Sequence, residues 1–117
     1  MTRVLVVEDE PLLREGLVSG LECAGYEVVQ ALNGREAMAA LEASDPRIAL
    51  LFTDIRLAGL LDGWAIAERA RALNPDVRVV YATGSASDKP RKLPHSRYVT
   101  KPYAPETVLE GFAELGA

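Results

Sequence analysis

The run Ile48-Ala49-Leu50-Leu51-Phe52-Thr53 constrains this chain more than any other segment. A strand with one wet face alternates apolar and polar residues, whereas a strand covered on both faces does not. Six residues are also too few for a buried helix of ordinary length. The run therefore predicts the central strand of a parallel sheet over Ile48–Thr53. Parallel neighbours need crossover connections, normally helices, so the segments on either side should alternate between the two kinds of element.

They do. Arg3–Val7 reads as a buried strand, and Pro11 suits the first turn of a helix because its missing N–H would be unpaired there anyway. Leu12, Leu13, Leu17, Leu21 and Ala24 recur at helical spacing, with Gly25 at the expected C-cap. Tyr26–Ala31 is a second strand. Asn33 followed by Glu36 forms a capping-box signature for a helix through Ala37, Met38 and Leu41, which Asp45-Pro46 breaks. Asp62-Gly63 precedes a helix that runs to Leu73 and is ended by Asn74-Pro75. Val77–Tyr81 and Arg97–Thr100 are strands, and Pro105 opens a last helix carrying Val108, Leu109, Phe112 and Leu115.

One unit is short. Between Ser85 and Ser96 stand Pro90, Pro94, Lys89, Arg91 and Lys92, with only Leu93 as a large apolar residue. No amphipathic helix of normal length fits there, and a loop with at most one helical turn is expected. The fold class is thus α/β: a doubly wound, five-stranded parallel sheet whose fourth helix is shortened or replaced by a loop.

At 117 residues the chain makes one domain, 1–117. A net charge of −4 argues against a generic nucleic-acid binder, although Lys89, Arg91, Lys92, Arg97 and Lys101 face only Asp88 in one stretch, which reads as a solvated loop. A single cysteine excludes an internal disulfide and a multi-thiolate zinc site. No apolar run approaches the ~20 residues of a membrane span. Four apolar residues ended by Glu8-Asp9-Glu10 make no signal peptide. A soluble cytoplasmic domain is expected. Cys23, on a helix with apolar neighbours, reads as an inert core thiol. Trp64 reads as packing at the start of its helix, and His95, without a second His or Cys nearby, as no metal ligand.

In an open doubly wound sheet, ligands bind beyond the carboxyl ends of the strands. Those ends carry Glu8-Asp9, Asp54, Thr83-Gly84 and Lys101-Pro102. Each residue has an ordinary reading as a cap, a turn hydroxyl or a solvated charge. In strand order 2-1-3-4-5, however, all four ends are neighbours. Three clustered carboxylates repel one another and raise at least one pKa. A hard divalent ion relieves that repulsion, and Mg²⁺ held by carboxylates keeps positions open for phosphate oxygens. Lys101 and Thr83 would supply a charge and a donor for the same oxygens, which is the logic of a phosphoryl-transfer pocket.

Four motifs in this order and spacing carry a specific resemblance: Val6-Val7-Glu8-Asp9-Glu10-Pro11; Phe52-Thr53-Asp54-Ile55-Arg56-Leu57 with Asp62-Gly63; Val79-Val80-Tyr81-Ala82-Thr83-Gly84; and Tyr98-Val99-Thr100-Lys101-Pro102-Tyr103. Over essentially its full length the chain resembles the receiver domain of two-component response regulators. That resemblance implies a flavodoxin-like order 2-1-3-4-5 and a cis Lys101-Pro102 bond. It implies Asp54 as phosphoacceptor, and Mg²⁺ held by Glu8, Asp9, Asp54 and the backbone carbonyl of Arg56. It makes Lys101 the phosphate-pairing lysine, and Thr83 and Tyr98 the switch residues. The implied partners are a histidine kinase or histidine phosphotransfer protein and a downstream protein, with no nucleic acid, no membrane and no effector domain of its own. The Tyr-Ala-Thr-Gly strand end and the basic loop are similar to the stand-alone subclass marked by Phe-Ala-Thr-Gly and linked to HWE-type kinases. The chain departs from the family at Ala58, where a proline is usual, in one extra residue before Asp62-Gly63, and at Arg56 and Ser85, positions that tune dephosphorylation.

Two other classes of function fit the sequence less well. A phosphorylation-independent binding module would show loss of an acid, Thr83 or Lys101, and none is lost. An aspartate-nucleophile phosphatase of the haloacid type needs Asp-x-Asp, and Arg56 stands where its general acid would be. The chain is therefore expected to be no enzyme beyond its own phosphorylation and dephosphorylation.

Overall fold

The computed structural model describes residues 2–43, 47–57, 59–84 and 93–116. In chain order the elements are β1 (Arg3–Val7), α1 (Pro11–Cys23), β2 (Glu27–Ala31), α2 (Gly34–Ala43), β3 (Leu50–Asp54), α3 (Gly63–Leu73), β4 (Arg78–Thr83), β5 (Ser96–Thr100) and α4 (Pro105–Glu114). All strand pairings are parallel, in the order β2-β1-β3-β4-β5. The doubly wound sheet is as its alternating pattern requires.

Side chains of successive residues leave a strand on opposite faces, and the two cores follow that rule. Leu5, Val7, Leu51, Val79 and Tyr81 face α2 and α3, where Ala37, Leu41, Ile66, Ala67 and Ala70 cover them. Val4, Val6, Leu50, Phe52, Val80 and Ala82 face α1 and α4, meeting Leu17, Val18, Leu21, Val108 and Phe112. β3 is buried at all five positions, which explains its lack of alternation.

Local signals place the helix ends. Asn33 Oδ1 accepts from the Glu36 N–H (2.9 Å) while Glu36 Oε1 accepts from the Leu32 N–H (2.8 Å), a reciprocal cap as the spacing predicts. Asp62 Oδ1 caps α3 through the Ala65 N–H at 2.9 Å. Gly25 takes φ +97° in the turn that releases α1 into β2, a conformation that only glycine adopts without cost.

Three expectations need correction. Cys23 is exposed: the buried stripe of α1 is Leu17, Val18 and Leu21, and Cys23 faces away from it. Leu12 likewise points to solvent, 79% exposed, because the core-facing stripe begins with Leu13, which packs partly buried against the cluster of Leu17, Val18 and Leu21. The central strand begins at Leu50, not Ile48, and ends on Asp54 itself; β4 similarly runs two residues past Tyr81 to Thr83. Hydrogen-bonded pairing with neighbours, which the local pattern does not encode, sets these ends. The Asp45-Pro46 break, Ala58, Ser85 and most of the expected 85–96 loop lie outside the described residues. Residues 93–95, which are described, lead directly into β5 without a helix.

Candidate functional site

β1, β3, β4 and β5 all point their carboxyl ends to one edge of the sheet. Register does the rest: Val7 lies opposite Thr53, Asp54 opposite Ala82, and Thr83 opposite Thr100. The residues just beyond these pairs are therefore brought side by side. The Ile55 N–H donates to the Ala82 carbonyl (3.1 Å) and the Lys101 N–H to the Thr83 carbonyl (2.9 Å), so the backbone at the site is tied across three strands.

Asp54 is 1% exposed, and Glu8 is fully buried. Lys101 Nζ stands 3.0 Å from Asp54 Oδ1 and 3.6 Å from Glu8 Oε2. Glu8 is held at both ends: Oε1 accepts from the Tyr103 hydroxyl (2.6 Å), and Oε2 accepts from the Glu10 N–H (3.1 Å). Arg14 Nη1 donates to the Glu8 carbonyl at 3.0 Å. Asp9 is exposed beside them. Among the described residues, Glu8, Asp9 and Asp54 each offer a carboxylate oxygen within 4.8 Å of the others.

The electrostatics follow from that crowding. Burial pushes the Asp54 carboxyl up to about 8, and the neighbouring Glu8 carboxylate adds to the rise more than Lys101 offsets it. Glu8 is driven up by burial too. Its hydrogen bonds with Asp54, Tyr103 and the Glu10 backbone, together with the Lys101 charge, outweigh burial and leave it below the usual carboxylate range. The two carboxyls titrate as a coupled pair, and the crevice favours keeping one proton between them. Lys101 is pushed down by burial, yet its two acid partners hold it above the ordinary lysine value. Burial and the hydrogen bond to Glu8 push the Tyr103 hydroxyl far up, so it stays protonated.

Apart from the Lys101 ion pair at Oδ1 and the adjoining Glu8 carboxyl, no donor among the described residues reaches either buried oxygen of Asp54. Buried carboxylate oxygens are normally satisfied, so one lysine shared among three clustered acids leaves room for a further cation. The donor set is all oxygen and anionic, which fits a hard ion such as Mg²⁺ and not a soft one. A cavity of about 200 Å³ opens beside it, lined by Asp54, Arg56, Ala82, Gly84 and Lys101. A larger one, about 520 Å³, lies elsewhere against Pro75, Asp76, Arg78, His95 and Leu115, with no buried charge converging on it.

The structure brings Glu8, Asp9, Asp54 and Lys101 together and sets Thr83, buried, at the adjoining strand end. Arg56 is exposed on the rim of the smaller cavity. Tyr98 is half-buried against Tyr81 (ring centroids 5.7 Å apart) and Trp64 (6.3 Å). Trp64 packs as expected at the start of α3, 7% exposed, with Tyr81 at 4.8 Å. Two features escaped the sequence reading. Tyr103 reaches Glu8 from 95 positions away, and only the polar tip on an otherwise apolar residue hinted at it. Gly63 lies directly on the Asp54 backbone: a Cβ there would come within 2.1 Å of the Asp54 carbonyl oxygen. Its N–H donates to the Ile55 carbonyl at 2.7 Å, which seats the start of α3 under the site.

The structure is thus a parallel flavodoxin-like α/β domain with a crevice of three carboxylates and a lysine at the carboxyl edge of its sheet. The chain belongs to the response regulator receiver domain family, matching it over residues 4–112. It is 36% identical over 110 residues to the response regulator receiver protein CpdR of Brucella abortus, covering 88% of this chain and 87% of that one. It spans only 11% and 44% of two longer curated relatives. Among solved structures, a response regulator receiver protein from Sinorhizobium medicae superposes with a TM-score of 0.89 at 28% identity, covering 97% of this chain and 93% of the other. The response regulator TrrA of Thermotoga maritima, solved in complex with Mg²⁺ and BeF, gives a TM-score of 0.83 at 29% identity, covering 98% and 99%. Receiver domains are signalling modules of two-component systems. Among the described residues no helix is long and apolar enough to cross a membrane.

Proposed function

We propose that this domain accepts a phosphoryl group on Asp54 from a histidine kinase or a histidine phosphotransfer protein in the cytoplasm, and that the acceptance changes the surface it offers a downstream protein. One observation carries the reading: a buried aspartate whose only nearby cation is a lysine 3.0 Å from Oδ1, set beside two further acids among the described residues. Glu8, Asp9, Asp54 and the Arg56 backbone carbonyl would hold Mg²⁺. Bound there, the ion supplies charge neutralisation for the phosphoryl oxygens and the attacking carboxylate.

An Asp54 oxygen attacks phosphorus in line; the O–P bond forms as the P–N bond to the donor's phosphohistidine breaks, and the imidazole takes a proton from solvent. Lys101, already facing Asp54, pairs with a phosphoryl oxygen in place of the free carboxylate. Thr83 is drawn to another phosphoryl oxygen, and Tyr98 moves from its packing on Tyr81 and Trp64 into the space Thr83 vacates, shifting the population between two surfaces. Water attack on phosphorus later restores the Asp54 carboxylate. The Tyr81-Ala82-Thr83-Gly84 strand end favours an HWE-type kinase as the donor.

The test is intact mass after incubation with a small phosphodonor, with and without Mg²⁺, beside Asp54→Asn. One Mg²⁺-dependent phosphoryl addition, absent from the variant, is expected. Addition that persists in the variant would remove Asp54 from the role, and repeated turnover of the donor would favour a phosphatase.

A further inference from the structure

We propose that Tyr103 is a positioning residue that fixes Glu8 as one wall of the cation site; the proposal rests on the receiver reading above. Glu8 is one methylene longer than Asp9 or Asp54, and a free glutamate samples many rotamers. Here it has no such freedom. Its carboxylate is fully buried, with Oε1 on the Tyr103 hydroxyl at 2.6 Å and Oε2 on the Glu10 N–H at 3.1 Å. Because Oε1 is committed to Tyr103, Oε2 is the oxygen turned towards Lys101, at 3.6 Å. A hydrogen bond to an ionised acceptor is among the stronger kinds.

Tyr103 is itself well placed to impose this orientation. It is buried, and its ring packs on Phe52 of the central strand with centroids 4.9 Å apart. Phe52 stands two residues before Asp54, so a single packed unit connects the residue that orients Glu8 with the strand that carries Asp54. A phenylalanine would retain the ring contact and lose only the donor. Groups that orient metal-holding residues from behind typically change metal affinity by about 10–100-fold when removed.

The experiment is Mg²⁺ titration by calorimetry of the wild type, Tyr103→Phe, Glu8→Asp and the double variant, with metal-free thermal melts of each. Tyr103→Phe is expected to weaken Mg²⁺ binding about tenfold. In the Glu8→Asp background, where the shorter carboxylate falls short of the hydroxyl, the same change is expected to cost less than about twofold, the non-additivity of residues in contact. In the wild-type protein the ¹³Cζ resonance of Tyr103 should move with the midpoint of the Mg²⁺ titration while that of Tyr26 stays still, a readout that needs no variant to fold. A purely structural tyrosine would lower the metal-free melting temperature and leave affinity alone; that result, equal losses in both backgrounds, or a silent Tyr103 resonance overturns the proposal. A wild-type protein that binds no Mg²⁺ overturns the phospho-accepting reading and this proposal with it.

Discussion

Glu8 and Asp54 share one buried crevice and depart from the ordinary carboxylate range in opposite directions. Glu8 is held down by its interaction with Asp54 and by donors on both of its oxygens, whereas Asp54 is pushed up to about 8 by burial and the Glu8 carboxyl, which the Lys101 contact only partly offsets. The asymmetry prepares one acid to stay charged and fixed while the other is ready to take a new partner.

Metal-free stability should therefore fall as pH rises. Asp54 binds its proton more tightly folded than unfolded, so its contribution is complete below about pH 4 and is lost as pH rises through about 8, with a slope of at most about 1.4 kcal/mol per pH unit. Glu8 works the other way, losing its contribution only as pH falls below the ordinary carboxylate value, outside most of that window. Thermal melts in chelator from pH 5 to 8.5 should show a declining midpoint that flattens in Asp54→Asn. Equal slopes in both proteins would place the responsible group elsewhere.

Lys101 is the cation that keeps this acid pair tolerable, at 3.0 and 3.6 Å from its two partners. Replacing it by alanine should destabilise the protein by about 1–3 kcal/mol at pH 8, since Lys101 is partly solvent-screened. At pH 5, with Asp54 protonated, the cost should be under about 1 kcal/mol. Urea denaturation at the two pH values checks the difference, and a pH-independent cost would count against the coupling.

Much of this was legible in the chain. The unbroken apolar run before Asp54 marked the central strand, and the polar ends of four strands marked the crevice once the strands were set in order. The misses share a physical cause. Apolar neighbours at Cys23 and helical spacing at Leu12 leave the phase of the helix loose by a residue or so, and it is fixed only by Leu17, Val18 and Leu21 docking on the sheet. Strand ends at Asp54 and Thr83 are set by cross-strand pairing. The Tyr103–Glu8 bond joins positions that no local pattern relates, and the need for glycine at 63 exists only once α3 lies on the Asp54 backbone.

Two glycines to alanine should behave in opposite ways. At Gly63 a methyl group would meet the Asp54 carbonyl oxygen and the Ile55 Cα, both backbone, so neither can give way cheaply. Gly63→Ala should cost about 3 kcal/mol and displace Asp54, reducing phosphoryl acceptance in the fraction that remains folded. Gly16, in the exposed face of α1, has nothing within 4 Å of the added carbon. Gly16→Ala should stabilise by about 0.5–1 kcal/mol through helix propensity alone, with acceptance unchanged. Chemical denaturation of both variants settles the pair, and a tolerated Gly63→Ala would show that α3 does not rest on the site backbone.

Trp64 should report the state of the switch. It is the only tryptophan in the chain and is nearly buried, with its ring 4.8 Å from Tyr81 and edge-on to Tyr98 at 6.3 Å. Gly63, its chain neighbour, touches the Asp54 backbone, so Trp64 adjoins both the reacting strand and the aromatic side chain expected to move. Repacking of Tyr98 would change the polarity and quenching around the indole without unfolding anything. Addition of a phosphodonor with Mg²⁺ should shift or quench Trp64 emission on the timescale of the mass change, and Asp54→Asn should abolish the response. Tyr98→Ala separates the two origins of such a signal: if emission senses the switch, the variant keeps its phosphoryl mass shift but loses most of the optical change. An undiminished change in Tyr98→Ala would mean that the indole senses the new charge at Asp54 directly, and the aromatic relay would be excluded.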